Sequence, residues 1–150
     1  MRHRSRWCAA AAMVLWIGTA QAEGIALEEL KARNAVQLDA AALKALMTGA
    51  KIRYMIPAGS TRAWSNDADG SFVASTDGRA AGVGIGSISG RGAWRVSDEG
   101  AYCVTIEWQG PRSQTTEKWC RRFYQLDGKY YGALTHATGA AEATEFSITH

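Results

Sequence analysis

The sequence predicts a mainly β domain, α+β by content, in which short N-terminal helices lead into an antiparallel β meander curled into a small barrel or bent sheet. Three observations carry that prediction. Apolar residues recur at helical spacing up to Met47 and at every second position from Lys51 onward. Turn signals punctuate the second part: Asp69-Gly70, Asp98-Glu99-Gly100, Gly110-Pro111 and Asp127-Gly128. Two cysteines, Cys103 and Cys120, fall on what reads as one hairpin.

The first residues have the layout of a secretory leader. Arg2, Arg4 and Arg6 form a positive start, Trp7 to Gly18 is an almost unbroken apolar run, and Ala20-Gln21-Ala22 is a small-x-small cleavage site. The apolar run is too short to span a bilayer. Residues 1–22 are therefore expected to be a signal peptide cleaved after Ala22, and twin arginines are absent, so the general (Sec-type) secretion route is expected. Cys8 leaves with the leader. So do three of the arginines, which turns 17 Lys+Arg against 14 Asp+Glu into a formally neutral mature chain. Non-specific nucleic-acid binding loses its electrostatic support. No second long apolar segment follows, so no stable membrane anchor is expected after cleavage. Residues 23–150 then form one exported β domain, periplasmic or secreted, with a helical lead-in over 26–48 and a meander over 51–149.

In "LDAAALKALMTG", Asp39 is a good N-cap, Leu38 and Leu43 occupy the positions of a hydrophobic staple, and Gly49 supplies the stop. The preceding "ALEELKARN" carries Leu27 and Leu30 on one side. "KIRYMIP" places Ile52, Tyr54 and Ile56 on one strand face, ended by Pro57. "TRAWSNDADGSFVAS" reads as a hairpin around Asp69-Gly70, and "TDGRAAGVGIGSISGRG" is a glycine-rich stretch without a clear element. The remaining strands are expected over Gly92–Ser97, Ala101–Trp108, Thr115–Leu126 and Lys129–Thr135, with "ATEFSITH" as the last. About eight strands around one core give a barrel of lipocalin-like shape, plugged by the N-terminal helices.

The hairpins set a register. A tight turn at Asp98-Glu99-Gly100 puts Trp94 opposite Val104 and Val96 opposite Tyr102. A turn centred between Pro111 and Arg112 puts Val104 opposite Trp119 and Cys103 opposite Cys120. One assumption thus yields a continuous Trp94–Val104–Trp119 row and a cysteine pair at disulfide distance. The expected role of Cys103–Cys120 is a cross-strand disulfide. A redox pair would need a C-x-x-C or a helix N-terminus to activate a thiol, and a metal clip lacks ligands, since the mature chain holds only His136 and His150. In this register Tyr102, Val104, Ile106, Trp108 and Trp119 face inward, whereas Thr105, Glu107, Lys118 and Arg122 share the cysteine face.

The segment "GRGAWRVSDEGAYCVTIEW…EKWCRRFYQLDGKYYGAL" resembles the Gly-x-Trp-x-Val, Asp-x-Gly, Cys, Trp, Cys, Tyr layout of small exported proteobacterial proteins, the family catalogued as domain of unknown function nine-nine-five. "LKALMTGAKIRY" and "DADGSFVAS" are similar to its helix–Gly–strand opening and Asp-Gly strand, so the resemblance covers most of Leu38 to Leu134. It implies an exported, mainly β domain with no assigned activity, and therefore carries over no catalytic residues. The glycine-rich insert at Gly82–Gly92 and the paired Arg121-Arg122 depart from the pattern. A second similarity is to periplasmic lysozyme inhibitors, disulfide-closed barrels with a Ser-Gly-x-Gly loop. Ser89-Gly90-Arg91-Gly92 supplies that motif as a candidate partner loop, although the cysteines here share one hairpin.

Candidate chemistry is sparse. His136 could act as a base towards Ser87 or Ser89, but no G-x-S-x-G elbow exists. Glu107 and Glu117 face opposite sides of the hairpin and cannot flank one glycosidic bond. "NDADG", Asn66 to Gly70, has a calcium-loop flavour without acidic ends, and a hairpin turn explains it better. "GVGIGS" lacks the G-x-G-x-x-G spacing. Lys118, Arg121, Arg122 and Arg112 cluster in sequence, but alternation sends Arg121 to the face opposite Lys118 and Arg122. Trp64, Trp94, Trp108 and Trp119 read as core. In an incompletely closed sheet, Trp64, Trp108 and Tyr130 would instead line a ligand pocket.

The expected function is a non-enzymatic binding module for a small ligand or an envelope protein, with no cofactor, no metal and no nucleic-acid partner. The alternatives are a lysozyme-inhibitor-like protein and a small enzyme built around His136.

Overall fold

The computed structural model describes residues 24–77, 88–110 and 114–150. The leader, Ser87, the Gly82–Ser87 part of the glycine-rich insert and the turn at Pro111-Arg112 lie outside the described residues. The elements run β1 (Ile25–Ala26), α1 (Leu27–Ala32), β2 (Val36–Gln37), α2 (Ala40–Met47), β3 (Lys51–Met55), β4 (Thr61–Ser65), β5 (Ser71–Thr76), β6 (Ile88–Val96), β7 (Tyr102–Gln109), β8 (Gln114–Leu126), β9 (Lys129–Leu134) and β10 (Glu142–Thr149).

From β3 to β10 every strand pairs antiparallel with the next, and β10 returns to β3 through Phe146 opposite Tyr54 and Thr149 opposite Lys51. The result is a closed, eight-strand, up-and-down barrel, the arrangement that leaves no long sheet edge exposed. The two-residue strands β1 and β2 add to β10 and β8. No helix among the described residues is long and apolar enough to cross a membrane.

Helix α2 closes one end. Its N-cap Asp39 accepts the Ala42 N–H at 2.8 Å, and Gly49, at φ 72°, takes the left-handed conformation that ends the helix where a side chain would be strained. Leu43 and Met47 are fully buried in the barrel core, each worth about 2 kcal/mol of burial. Leu38 packs beside them, as the staple requires. Helix α1 does not plug the barrel, contrary to expectation. The outward side chains of Tyr124 on β8, Tyr131 and Ala133 on β9 and Ala143 on β10 are apolar, and α1 covers them with Leu27 and Leu30 as a second, external core.

The two hairpin registers are as expected. Trp94 lies opposite Val104 and Val96 opposite Tyr102, and Val104 lies opposite Trp119. Cys103 lies opposite Cys120, with Cα atoms 4.0 Å apart and a disulfide between them. Such a bond favours an oxidising, extracytoplasmic compartment. Around Asp69-Gly70 the hairpin reading also holds. The Asp69 carboxylate accepts the Ser71 N–H at 2.9 Å and its hydroxyl at 2.7 Å, which ties the turn and draws its pKa down.

The largest difference lies at β6, which starts at Ile88, not Gly92. Ser89-Gly90-Arg91-Gly92 is not a projecting loop: all four residues pair with β5 on one side and β7 on the other. The glycines hide the strand period because the interior has no room for side chains there. A Cβ on Gly92 would collide with the Phe72 ring, and one on Gly90 would come within 2.8 Å of Ile106. The Phe72 ring is buried and stacked on Trp64 at 5.0 Å, so it has little freedom to yield. Gly92→Ala should therefore destabilise the fold by about 2 kcal/mol, whereas Ala93→Gly, one residue along on the exposed outer face, should cost under about 1 kcal/mol. Urea unfolding of the two variants checks this.

Candidate functional site

The chemistry gathers inside the barrel. Glu117 on β8 lies opposite Ile106 and therefore faces inward. One of its oxygens accepts the Tyr54 hydroxyl at 2.9 Å and the Trp119 indole N–H at 3.1 Å. The other accepts the Trp108 indole N–H at 3.0 Å and Arg62 Nε at 3.2 Å. Four strands thus converge on one carboxylate: β3 brings Tyr54, β4 Arg62, β7 Trp108 and β8 both Glu117 and Trp119. Arg62 lies over the Trp108 ring, 4.9 Å from its centroid, and donates to the Thr76 hydroxyl at 2.7 Å.

Burial alone would raise the Glu117 pKa, but the hydrogen bonds from Trp108, Tyr54 and Trp119 and the Arg62 charge outweigh it and hold the carboxyl below its ordinary range. The Tyr54 hydroxyl moves up, first through burial and then through the adjacent Glu117 charge, so it stays a neutral donor. Solvent still reaches the pair, since the Arg62 and Glu117 side chains are 16% and 24% exposed.

Arg121 stands four residues further along β8, about 13 Å on at the usual strand rise, on the same inward face. Its Nη1 donates to the Gly132 carbonyl at 2.8 Å and the Thr144 hydroxyl at 3.2 Å. Its guanidinium is flanked by Trp119 at 5.1 Å, Phe146 at 5.6 Å and Tyr54 at 6.0 Å. Its Nε is buried with no hydrogen-bond partner.

Nearer α2, a second polar group is internally satisfied. Asn66 Oδ1 accepts the Tyr102 hydroxyl at 2.8 Å and the Trp64 indole N–H at 3.0 Å, and its Nδ2 donates to the Met47 carbonyl at 2.8 Å. This is structural glue between the helix and the barrel. Asn66→Ala strands the Met47 carbonyl and the Tyr102 hydroxyl proton, while the Trp64 indole N–H keeps its bond to the Tyr102 oxygen, and should cost about 2 kcal/mol, read as a lower midpoint in thermal unfolding.

These positions revise several expectations. Trp64 is a packed core residue near α2, the first of the two readings the sequence allowed. Its ring is held by Phe72 and its N–H by Asn66 and Tyr102. Trp108 does join the interior site, through Glu117, while Tyr130 packs partly buried against the same core. Ser89 and Arg91 are exposed on the outer face of β6, so the inhibitor alternative loses the loop on which it rested. His136 is exposed between β9 and β10. Glu107 is exposed and Glu117 is inside, as the register required. Lys118 lies outside near the disulfide, and Arg122 donates to the Thr135 carbonyl at 3.0 Å. Arg112 lies outside the described residues. No group of three or more His, Cys, Asp or Glu among the described residues is placed to hold a metal ion.

The interior network was missed in the sequence although half its signal was there. The same register that opposes the cysteines turns Glu117 and Arg121 inward. Their partners Tyr54, Arg62 and Thr144 come from strands that meet β8 only when the barrel closes.

A family model described as "Protein of unknown function (DUF995)" matches residues 14–138. No curated protein and no solved structure matches the chain.

Proposed function

The chain belongs to the DUF995 family, and from that premise we propose that it is a non-enzymatic binding module of the periplasm or the extracellular space, which takes a small ligand inside its barrel against Glu117, Arg62 and Arg121. One observation carries the reading: a solvent-reached charged cluster, with aromatic walls, sits in a barrel whose other end is closed by α2. Glu117 supports binding over acid–base chemistry. It is held ionised by four donors, so it lacks both the raised pKa of a general acid and free lone pairs for a base. Export rests on the leader, with cleavage after Ala22, and on the disulfide.

Native mass spectrometry of the protein recovered from the envelope of its own host tests this. The expected result is a chain starting at Glu23, two hydrogens lighter than the reduced form, carrying a small-molecule mass that survives gentle desolvation. An unprocessed chain or free thiols would overturn the export reading, and a bare chain under all conditions would count against carriage.

A further inference from the structure

Among the described residues the barrel interior holds two guanidinium groups, Arg62 and Arg121, against one carboxylate, Glu117. Glu117 is committed to Arg62 as an ion pair at 3.2 Å, and among the described residues Arg121 has no carboxylate within ion-pair reach. Both of its hydrogen bonds leave through Nη1, and the buried Nε has none. A guanidinium presents its Nε edge as a two-pronged donor that matches the two oxygens of a carboxylate. The guanidinium itself lies over the Trp119, Phe146 and Tyr54 rings, 5.1, 5.6 and 6.0 Å from their centroids, so the group is set among aromatic side chains.

We propose that the ligand is a small organic carboxylate with an apolar or aromatic body, its headgroup seated on the Nε edge of Arg121 and its body against the partly buried Trp119. This rests on the small-ligand reading above and names the chemical class. Trp119, which is partly buried, lies against the Arg121 guanidinium and bonds Glu117, so its emission reports occupancy.

The test uses the mature, oxidised protein and paired probes: hexanoate against hexan-1-ol, and phenylacetate against phenylacetamide. Binding is read by calorimetry and tryptophan emission. The acids should bind at least tenfold more tightly than their neutral counterparts. Arg121→Lys keeps the charge without the fork and should lose tenfold or more in affinity for the acids alone. Arg121→Met should erase the preference altogether. Circular dichroism and melting curves establish that each variant is folded. Equal binding of acids and neutral probes, or a preference unchanged in folded Arg121→Lys and Arg121→Met, overturns the proposal. If the wild type takes neither class of probe, the carboxylate assignment falls, while a small-molecule mass retained on the native protein would leave the binding reading standing.

Discussion

Replacing Glu117 with alanine should lower the stability of the oxidised protein by about 3 kcal/mol, or roughly 10 °C in melting temperature. The substitution strands the Tyr54 hydroxyl, the Trp108 and Trp119 indole N–H groups and Arg62 Nε at once. Each buried donor left unmade costs on the order of 1–3 kcal/mol, but the costs share one cavity and do not add. Solvent access to the carboxylate lowers the total, because water can enter and replace part of what is lost. Glu107→Ala is the matched control. It removes a glutamate from the exposed face of the same hairpin and should change stability by less than about 0.5 kcal/mol. Equal melting temperatures for the two variants would show that the interior cluster is not coupled to the fold.

The same carboxylate gives a pH dependence of defined sign. Its folded pKa lies below the ordinary 4.5, so its ionised form contributes stability that is complete above pH 4.5 and is lost as the pH falls through the lower folded value. The stability gap between wild type and Glu117→Gln should therefore be constant around neutrality and narrow below pH 4.5. A gap that widens on acidification would reverse the assignment.

Removing the disulfide, as Cys103→Ala with Cys120→Ala, should cost about 3 kcal/mol, the loop-entropy value for a crosslink over 17 residues. The bond joins strands already opposed along the whole of β7, from Tyr102–Arg121 to Gln109–Gln114, so the native pairing survives without it. The effect falls on the unfolded chain, which becomes larger once the crosslink is gone. In urea the double variant should show a lower midpoint together with a steeper dependence on denaturant. An unchanged midpoint would mean that the hairpin stays closed in the unfolded ensemble without the bond.

What could be read from the sequence, and what could not, follows from where each interaction lives. The β6–β7 and β7–β8 registers were legible because short turns fix them and because two rows, one apolar and one of cysteines, had to agree. Helix α2 was legible because Asp39, Leu43 and Gly49 act within one segment. The start of β6 was not, since Gly90 and Gly92 are small on account of Phe72 and Ile106, which belong to the neighbouring strands. The place of α1 depends on the outward apolar faces of β8, β9 and β10, whose need for a cover appears only once inside and outside are assigned. The interior cluster was hidden for the same reason. Glu117 and Arg121 could be turned inward on paper, yet nothing local indicates that Tyr54 and Arg62 reach the carboxylate while Gly132 and Thr144 take one side of the guanidinium.

The most direct measurement is a proton–nitrogen correlation spectrum of the mature, oxidised protein, titrated with the small molecules extracted from the envelope of its own host. The indole N–H signals of Trp108 and Trp119 and the Nε–H of Arg121 report on the interior cluster without any substitution. These signals should shift together and saturate, while those of the outer face around Lys51, Val73 and Ser147 stay in place. Shifts confined to that outer face, or a spectrum that no component changes, would contradict a binding site inside the barrel.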